Sequence, residues 1–456
     1  MEKVSLRTLA AWCGGVLDGE DVMITDICRN TQALTKGCLF TPMIGERTDG
    51  HRYIDDAIRL GAAATLCAHD DLHPACPVIR VDDTLKAAQK IAAAYRRERD
   101  IKLVGVTGSV GKTTTGRMLG GIVSRRFRML KTEDDMNGQI GLTYAMFRLE
   151  NSHEAAVMEM GMSRYGELSR LTAIANPDVA VINSIGTAHI EFFGTRENIL
   201  KAKLEIMEGL KPDGTAVLCG DEPLLWNIRN EIKQRVLTYG IDNRDADVVG
   251  EVLEASAAAQ TICVTGLGRT FTVDLPVGGI HNARNALAAC TAAMVLGIDD
   301  ADIIAGLASY ESAKGRQRIF THNGHTLIDD CYNASPDSVK AALAVLASID
   351  APKHIAVLGG MLELGDYSET GHLACGKAAA QYASDLLCYG NGSDWYRAGA
   401  LEAGMNDADI HVFDDHASMA SYLRTIAGEN AAVLFKGSRG MKIEEVLNRF
   451  LEEENG

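Results

Sequence analysis

The sequence predicts a three-domain α/β protein with largely parallel sheets, and three observations support this prediction. The chain has 456 residues, about three times a typical domain of roughly 150 residues. Short runs rich in Val and Ile alternate with helical stretches, as in sheets whose strands are joined by crossover helices. The composition changes at a charged helix over residues 93–100 and at a polar stretch over 311–318. We therefore predict an N-terminal domain over residues 1–98, a central domain over 99–312 and a C-terminal domain over 313–456.

The individual strands are predicted from short apolar runs in the two larger domains. In chain order these runs predict strands over residues 103–107, 155–159, 179–183, 326–330, 355–358 and 432–435. Residues 1–12 lack the basic stretch and long apolar core of a secretory signal and instead predict a short amphipathic helix. We therefore expect the protein in the cytoplasm.

Composition and charge exclude several classes of protein. The chain is 46% hydrophobic and 23% charged, as in an average soluble protein. No apolar run approaches the roughly 18 residues of a membrane-spanning helix. With 45 basic and 61 acidic residues, the formal charge of −16 disfavours binding to a nucleic-acid backbone. The 11 cysteines are scattered and form no C-x-x-C pair, so we expect reduced, mostly buried side chains.

A glycine-rich turn between an apolar strand and a helix carries the strongest chemical signal. Glycines let backbone N–H groups converge on phosphate oxygens, and the helix that follows adds the positive end of its dipole. Lys112 would neutralise the charge of the terminal phosphates, and the hydroxyl of Thr113 is a ligand for Mg²⁺. Val106 stands where the general pattern has a glycine, so an ordinary turn is the alternative. We predict a phosphate-binding loop made of Gly108, Ser109, Val110, Gly111, Lys112, Thr113 and Thr114.

Two later strands end near groups that suit a metal ion or a phosphate. Glu159 ends an apolar strand, where a carboxylate needs a cation, so Mg²⁺ or an ordinary salt bridge is expected. His189 follows the next strand in a glycine-containing loop, at the edge where open α/β sheets bind ligands. A structural role for this histidine is the alternative. In the helix after it, Lys201 and Lys203 face different directions, so one can point towards the site.

Segments spread over nearly the whole chain resemble those of the Mur ligases. Beside the phosphate loop they are MEMGM at 158–162, GTAHIE at 186–191, AKLEI at 202–206, HNARN at 281–285, DDCYNASP at 329–336, MLELG at 361–365 and KGSR at 436–439. The resemblance implies ATP-dependent amide-bond formation in peptidoglycan precursor synthesis. It also implies an N-terminal UDP-binding domain, a central P-loop ATPase-like domain and a C-terminal Rossmann-like domain.

The last three segments look most like the branch of the family that adds a dipeptide rather than one amino acid. This implies UDP-N-acetylmuramoyl-tripeptide and D-alanyl-D-alanine as substrates, with ATP and Mg²⁺ as cofactors. ATP would phosphorylate the carboxylate of the tripeptide, and the amine of the dipeptide would then displace phosphate from the acyl phosphate. We expect a monomer that binds neither nucleic acid nor membrane.

The resemblance further implies a catalytic centre formed by Lys112, Glu159, His189 and Lys203. Thr113, Glu159, His189 and Lys203 would hold two Mg²⁺ ions, and Lys203 would react with CO₂ to become an anionic carbamate. Because that reaction needs a neutral amine, we expect a lowered pKa for Lys203.

The same resemblance assigns further ATP and substrate contacts. The ATP site would include His281, Asn282, Asn285, Arg316, Asp330, Tyr332 and Asn333. For the first three of these the alternative is an ordinary helix start that asparagine caps, and for the last two a simple turn. The substrate would be bound by Thr31, Asp49, Gly50, His51, Asn137, Lys436, Ser438 and Arg439.

The match departs from the family mainly at substrate positions. Asn30, Thr31 and Gln32 stand where the family usually has Asp-Ser/Thr-Arg at the uridine end, and Ser184 replaces a usual Asn. The phosphate machinery is complete, so the preferred hypothesis is the ligase reaction with an altered UDP site. One alternative is a related ATP-dependent ligase that acts on another carboxylate, such as a folylpolyglutamate or cyanophycin-type substrate. Another is a non-catalytic nucleotide-binding paralogue.

Overall fold

The protein consists of β-sheets flanked by helices. A computed structural model describes residues 1–45, 47–130 and 136–452. Along the chain the described residues form a five-stranded, a nine-stranded and a six-stranded sheet, with a short two-stranded ladder near the N-terminus. The predicted α/β fold class is therefore confirmed. The chain divides into two compact units, one formed by 1–106, 126–180 and 204–216 and the other by 107–125, 181–203 and 217–456. The predicted domain boundaries stay predictions.

The N-terminal part contains the predicted amphipathic helix and the five-stranded sheet. Its elements are β1 (Val4–Ser5), α1 (Leu6–Cys13), β2 (Val16–Asp18), β3 (Met23–Ile24), β4 (Ile27–Cys28), β5 (Leu39–Phe40), α2 (Ile54–Leu60), β6 (Ala64–Cys67), β7 (Val78–Arg80) and α3 (Thr84–Arg97). The hydroxyl of Ser5 caps α1 by accepting a hydrogen bond from the Thr8 N–H, and Gly14 ends the helix in the left-handed region. The sheet has the order β2-β7-β6-β5-β4, and β1 pairs with β3.

The central part carries the nine-stranded sheet. Its first elements are β8 (Lys102–Thr107), α4 (Lys112–Arg126), β9 (Met129–Leu130), α5 (Gln139–Phe147), β10 (Ala155–Glu159), α6 (Glu167–Ala175), β11 (Val179–Ile182), α7 (Ile190–Phe193) and α8 (Arg196–Leu204). They are followed by β12 (Thr215–Cys219), α9 (Pro223–Ile228), β13 (Arg235–Gly240), β14 (Val248–Ala255), β15 (Gln260–Gly266), β16 (Arg269–Leu275), α10 (Ile280–Val295) and α11 (Asp300–Ala308). The order is β16-β15-β14-β13-β12-β11-β8-β10-β9.

The strands predicted over 103–107, 155–159 and 179–183 correspond to β8, β10 and β11. An antiparallel edge was not predicted: β14 pairs antiparallel with β15, and β15 with β16. In β16 every second side chain is buried and its neighbours are exposed, the pattern of a sheet with one face in solvent. The parallel expectation therefore holds for only part of this sheet.

The C-terminal part forms the six-stranded sheet. Its elements are β17 (Arg318–His322), β18 (His325–Asp330), α12 (Pro336–Ala347), β19 (His354–Gly359), α13 (Ser368–Tyr382), β20 (Asp385–Tyr389), α14 (Ser393–Glu402), β21 (Ile410–Phe413), α15 (His416–Ala427), β22 (Ala432–Lys436) and α16 (Glu444–Leu451). The order is β17-β18-β22-β19-β20-β21, and only the β17–β18 pair in it is antiparallel. Leu327, Val357 and Phe435 contribute to its core. The three strands predicted here are confirmed as β18, β19 and β22.

The burial of the cysteines and the character of the helices match what the composition predicts. Cys76 and Cys263 are half-buried, and the remaining cysteines are buried. Within the described ranges, no helix combines the length and apolar character needed to cross a bilayer.

Candidate active site

The predicted phosphate loop lies between β8 and α4 and is held by the loop that follows β11. Gly108 and Gly111 have φ values of 154° and 85°, in the region that favours glycine. The N–H of Ser109 donates to the carbonyl oxygen of Ser184 over 3.0 Å. The N–H of Val110 donates to the Ser184 hydroxyl over 3.1 Å. Ser184, one of the departures from the family pattern, therefore retains a hydrogen-bonding role.

Several polar atoms in and beside the loop suit an anionic ligand. The ammonium of Lys112 donates to the carbonyl oxygen of Gly108 over 2.9 Å and so lies over the turn. Among the described residues, the buried side-chain oxygens of Thr107, Ser109 and Asn183 have no hydrogen-bond partner. Buried polar groups normally have partners, so unpaired groups around a glycine loop indicate a ligand site. The geometry agrees with the predicted phosphate loop.

The loop also packs tightly against the helix that carries the predicted adenine residues. A Cβ on Gly111 would lie 2.3 Å from Oδ1 of Asn285 and 3.0 Å from Nδ2 of Asn183. The same Nδ2 donates to the Thr115 hydroxyl over 2.8 Å, and that hydroxyl lies 3.4 Å from the Asn285 carbonyl oxygen. Gly111 is therefore required by a close approach as well as by its φ.

Replacing Gly111 by Ala should weaken ATP binding at least about tenfold and destabilise the fold by about 1–3 kcal/mol, through crowding and the strained φ. Calorimetric titration with ATP and thermal unfolding measure the two effects. Gly116→Ala is the matched control, because a Cβ on this glycine of α4 would meet nothing within 4 Å. Equal ATP affinity in the two variants would show that the close approach at Gly111 is not needed.

The loop that carries His189 is held by two carboxylates from the C-terminal part. Nδ1 of His189 lies 2.6 Å from Oε2 of Glu363. This close contact with His189 lowers the pKa of Glu363, although burial opposes the effect. Oδ2 of Asp337 accepts hydrogen bonds from the N–H and the hydroxyl of Thr187, over 3.1 and 3.2 Å. His189 has a φ of 63°, a left-handed conformation that costs about 1–2 kcal/mol outside glycine.

The two lysines of α8 differ strongly in burial. Lys203 is 3% exposed, whereas Lys201 is exposed. Burial, together with the positive charge of Lys112, holds the pKa of Lys203 well below its ordinary value of 10.5. This is the direction expected for an amine that reacts in its neutral form.

Glu159 and Asn137 are in contact within the 126–180 segment. Glu159 ends β10, and the parallel register places it opposite Val106 of β8. Its Oε1 accepts a hydrogen bond of 2.9 Å from Nδ2 of Asn137. Carboxylate oxygens are also ligands that Mg²⁺ prefers in proteins. Asn137, predicted as a substrate residue, thus orients the predicted metal ligand.

The predicted adenine segment starts α10, but its asparagines do not cap the helix. The N-cap is Gly279, and no side chain caps the helix there. Nδ2 of Asn282 donates to the carbonyl oxygen of Gly278 and to Oε1 of Gln317, both over 2.9 Å. Nε2 of His281 lies 2.7 Å from the same oxygen of Gln317. The simple capping alternative is therefore wrong, and Gln317 joins this network.

Arg316 connects the start of the C-terminal part to the phosphate loop. Its Nη2 donates to the hydroxyl of Thr113 over 3.3 Å, and its guanidinium lies 4.0 Å from the centre of the Tyr332 ring. Thr114 is hydrogen bonded to the hydroxyl of Tyr310. The structure therefore places Arg316 beside the predicted phosphate loop.

The predicted C-terminal residues are largely engaged with each other. The register places Asp330 opposite Lys436, and Nζ of Lys436 lies 2.5 Å from Oδ2 of Asp330 and 3.0 Å from the Asn333 carbonyl oxygen. The hydroxyl of Ser438 accepts the Leu362 N–H over 2.9 Å. Both Lys436 and Ser438 are buried.

Arg439 and Thr31 are less engaged with other predicted site residues. Nη1 of Arg439, which is largely exposed, lies 2.6 Å from Oε1 of Glu444. Thr31 begins a short turn of 3₁₀ helix that Asn30 caps through its side chain. An aspartate, usual in the family at position 30, would cap the turn in the same way, so this departure leaves the local backbone intact.

Asp49, Gly50 and His51 form a turn in the N-terminal part, in which only His51 is buried. The Ala68 N–H donates to Nε2 of His51 over 3.0 Å, so His51 carries its proton on Nδ1, which lies 2.6 Å from Asp49. His69 Nε2 contacts the other oxygen of Asp49 over 2.7 Å. Although burial opposes it, hydrogen bonds from both histidines lower the pKa of Asp49 to about 2. The side chains of Asp49, His51 and His69 therefore form a hydrogen-bonded array. Because Nδ1 of His51 carries a proton, this nitrogen does not bind a metal ion.

Sequence reasoning missed Asn183, Gln317, Asp337 and Glu363. Glu363 lies in the MLELG segment but had no assigned role, and Asp337 has the sequence signature of an acidic residue in the first turn of a helix. For Asn183 and Gln317 the sequence has no local signal.

Comparison with known proteins identifies relatives over the whole chain. Residues 106–293 match the Mur ligase middle domain, and residues 315–439 match the Mur ligase glutamate ligase domain. UDP-N-acetylmuramoyl-tripeptide–D-alanyl-D-alanine ligase of Bacillus subtilis is 37% identical over 99% of both chains. The Escherichia coli enzyme of the same name is 32% identical over 100% of both chains.

Solved structures of MurF ligases share the fold. A crystal structure of MurF from Acinetobacter baumannii has a TM-score of 0.92 and 28% identity, over 99% of this chain and 100% of that chain. The MurF ligase of Thermotoga maritima in complex with ADP has a TM-score of 0.83 and 30% identity, over 93% and 97% of the two chains.

Proposed function

We propose, because this chain belongs to the Mur ligase family, that it is an ATP-dependent ligase that adds D-alanyl-D-alanine to UDP-N-acetylmuramoyl-tripeptide. The observation that carries this conclusion is full-length similarity to relatives named for that reaction, 37% identical over 99% of both chains in one case. The product is a peptidoglycan precursor. The reaction forms an amide bond and releases ADP and phosphate.

In the proposed mechanism the phosphate loop binds ATP through its backbone N–H groups and Lys112. Arg316 donates to Thr113 at the loop and is placed to reach the phosphates. The terminal carboxylate of the tripeptide attacks the γ-phosphate, which yields an acyl phosphate and ADP. The amine of D-alanyl-D-alanine then attacks the acyl carbon, and phosphate leaves. Both reactants of the first step are anionic, so cationic groups must screen their charges.

The residues assigned to Mg²⁺ have suitable donor groups. Thr113 supplies a hydroxyl, Glu159 a carboxylate and His189 an imidazole. The neutral amine of Lys203 would add to CO₂ and lose a proton, which leaves an anionic carbamate in place of a cation. When bound, Mg²⁺ would neutralise charge on the phosphates and the attacking carboxylate.

For the substrates we propose the remaining assignments. His281, Asn282 and Asn285 belong to the adenine site, and Asp330, Tyr332 and Asn333 to the ribose side. The other substrate contacts come from Thr31, Asp49, Gly50, His51, Asn137, Lys436, Ser438 and Arg439. We also propose that the protein is a monomer. We place it in the cytoplasm, where ATP and nucleotide-linked precursors are available.

The test is phosphate release from ATP and Mg²⁺ with UDP-N-acetylmuramoyl-tripeptide, with and without D-alanyl-D-alanine, followed by mass detection of the product. We expect release that depends on both substrates, and the mass of the pentapeptide. ATP binding without release would favour a different carboxylate substrate or a non-catalytic paralogue. Phosphate release with a different carboxylate substrate would then distinguish a ligase of other specificity from a non-catalytic paralogue.

A further inference from the structure

A buried glutamine at the start of the C-terminal part contacts the predicted adenine segment. Gln317 is 8% exposed, and its backbone N–H donates to Oδ1 of Asp330 over 3.1 Å. Its φ of 44° is left-handed, a conformation that residues other than glycine seldom adopt. Its Nε2 donates to the carbonyl oxygen of Gly278 over 2.9 Å, directly before the N-cap of α10. Both the backbone and the side chain of Gln317 are therefore held in place.

The carbonyl oxygen of Gly278 fixes the orientation of two side-chain amides. A carbonyl oxygen only accepts hydrogen bonds, so the amide atom that contacts it is the nitrogen. Nδ2 of Asn282 and Nε2 of Gln317 both lie 2.9 Å from this oxygen. Oε1 of Gln317 then accepts a second hydrogen bond from Nδ2 of Asn282, over 2.9 Å.

This arrangement leaves Asn282 as a hydrogen-bond acceptor. An amide nitrogen carries two N–H groups, and both of those on Asn282 are used by Gly278 and Gln317. Its Oδ1 accepts one hydrogen bond, from Nδ2 of Asn285 over 3.3 Å. A carbonyl oxygen has two lone pairs, so Oδ1 can accept one more.

The same oxygen of Gln317 fixes the position of the proton on His281. Burial lowers the pKa of His281 below its ordinary value, although the hydrogen bond to Gln317 opposes the effect, so the ring is neutral at pH 7. Nε2 lies 2.7 Å from Oε1 of Gln317, an atom that only accepts, and the single ring N–H is therefore on Nε2. Nδ1 of His281 keeps a lone pair and is an acceptor as well.

Purine bases differ at the group that such acceptors recognise. The 6-amino group of adenine donates hydrogen bonds, whereas the 6-oxo group of guanine or hypoxanthine accepts them. An acceptor that faces a 6-oxo group leaves two desolvated lone pairs without a hydrogen, which weakens binding. A site whose side chains offer acceptors therefore selects adenine.

We propose that Gln317 is a positioning residue that sets the base selectivity of the ATP site. It takes up the ring N–H of His281 and one amide N–H of Asn282, so that both residues offer acceptors to the base. This rests on the proposed function, in which His281 and Asn282 belong to the adenine site. Because Gln317 also donates to Asp330, it connects the base side of this site to the ribose side.

The test compares the binding of ATP and inosine triphosphate (ITP), whose base has a 6-oxo group, by calorimetric titration in the presence of Mg²⁺. The wild-type protein should bind ATP about 10–100-fold more tightly than ITP. Gln317→Leu should reduce this preference about tenfold, because His281 can then carry its proton on either nitrogen and Asn282 regains a free N–H. Gln317→Glu should keep most of the preference, since a carboxylate oxygen accepts the same two hydrogens.

Gln260→Leu is the matched control. Gln260 is 4% exposed, and its Nε2 donates to the carbonyl oxygens of Val277 and Gly279, both over 3.0 Å. It therefore holds the same turn as Gln317 without contacting His281 or Asn282 through these bonds. Loosening the turn should weaken the binding of ATP and ITP together and leave their ratio unchanged. Thermal unfolding shows whether each variant is folded.

Three results would overturn the proposal: equal affinity of the wild-type protein for ATP and ITP, the same preference in Gln317→Leu as in Gln260→Leu, or loss of the preference in folded Gln317→Glu. The last of these applies even if Gln317→Leu does not fold. Failure of the proposed function is distinguishable, because the titration needs no turnover. A wild-type protein that prefers ATP but makes no pentapeptide would contradict the ligase reaction and leave the role of Gln317 standing.

Discussion

Replacing Lys112 by Ala should reduce ATP-dependent phosphate release by about 10³-fold, the largest effect expected for a single side chain of the phosphate loop. The γ-phosphate and the attacking carboxylate are both anionic, and Lys112 is the cation that lies over the turn, 2.9 Å from the Gly108 carbonyl oxygen. Loss of this charge raises the barrier to the first step more than it weakens nucleotide binding.

Phosphate release with both substrates measures this effect, and thermal unfolding shows that the variant is folded. Lys201→Ala is the matched control. Lys201 is exposed on α8, and its substitution removes the same charge from the same part of the chain. If Lys112→Ala turns over as fast as Lys201→Ala, the assignment of the phosphate loop is wrong.

Replacing Lys203 by Met should lower the ligase rate by at least about 10²-fold while making the protein more stable. The rate falls because the carbamate proposed as a metal ligand can no longer form. The stability rises because Lys203 is 3% exposed, and a methionine fills the same space without a group that must lose its hydration. Opposite changes in rate and stability separate this role from that of a merely structural lysine.

The gain in stability should depend on pH. The pKa of Lys203 is lowered from 10.5 by folding, so between the lowered value and 10.5 the unfolded chain binds a proton that the folded chain does not. Wild-type stability therefore rises with pH through this window, and the advantage of Lys203→Met shrinks as the pH approaches 10.5.

Denaturant unfolding of both proteins in CO₂-free buffer without Mg²⁺, from neutral pH upwards, measures this difference. A difference that stays constant with pH would mean that Lys203 keeps its ordinary pKa in the folded protein. Addition of bicarbonate and Mg²⁺ should stabilise the wild-type protein and leave Lys203→Met unchanged.

Features that depend on neighbouring residues could be predicted from the sequence. The strands over 103–107 and 155–159 follow from apolar runs, and the phosphate loop follows from glycines, a lysine and threonines in one short segment. The antiparallel edge formed by β14, β15 and β16 was not predicted, because these half-exposed strands lack the continuous apolar runs by which buried parallel strands are recognised.

The sequence by itself determined the α/β class, the phosphate loop and the membership of the family, because each depends on residue types close together or on motifs in order. Only the tertiary structure decided that Lys203 rather than Lys201 is buried, and that Ser184 holds the phosphate loop. It also decided that Glu363 and Asp337 contact the loop that carries His189. These residues are far apart in the chain, Thr187 and Asp337 by 150 positions. A contact across such a distance forms only in the folded protein, so no local pattern in the sequence predicts it.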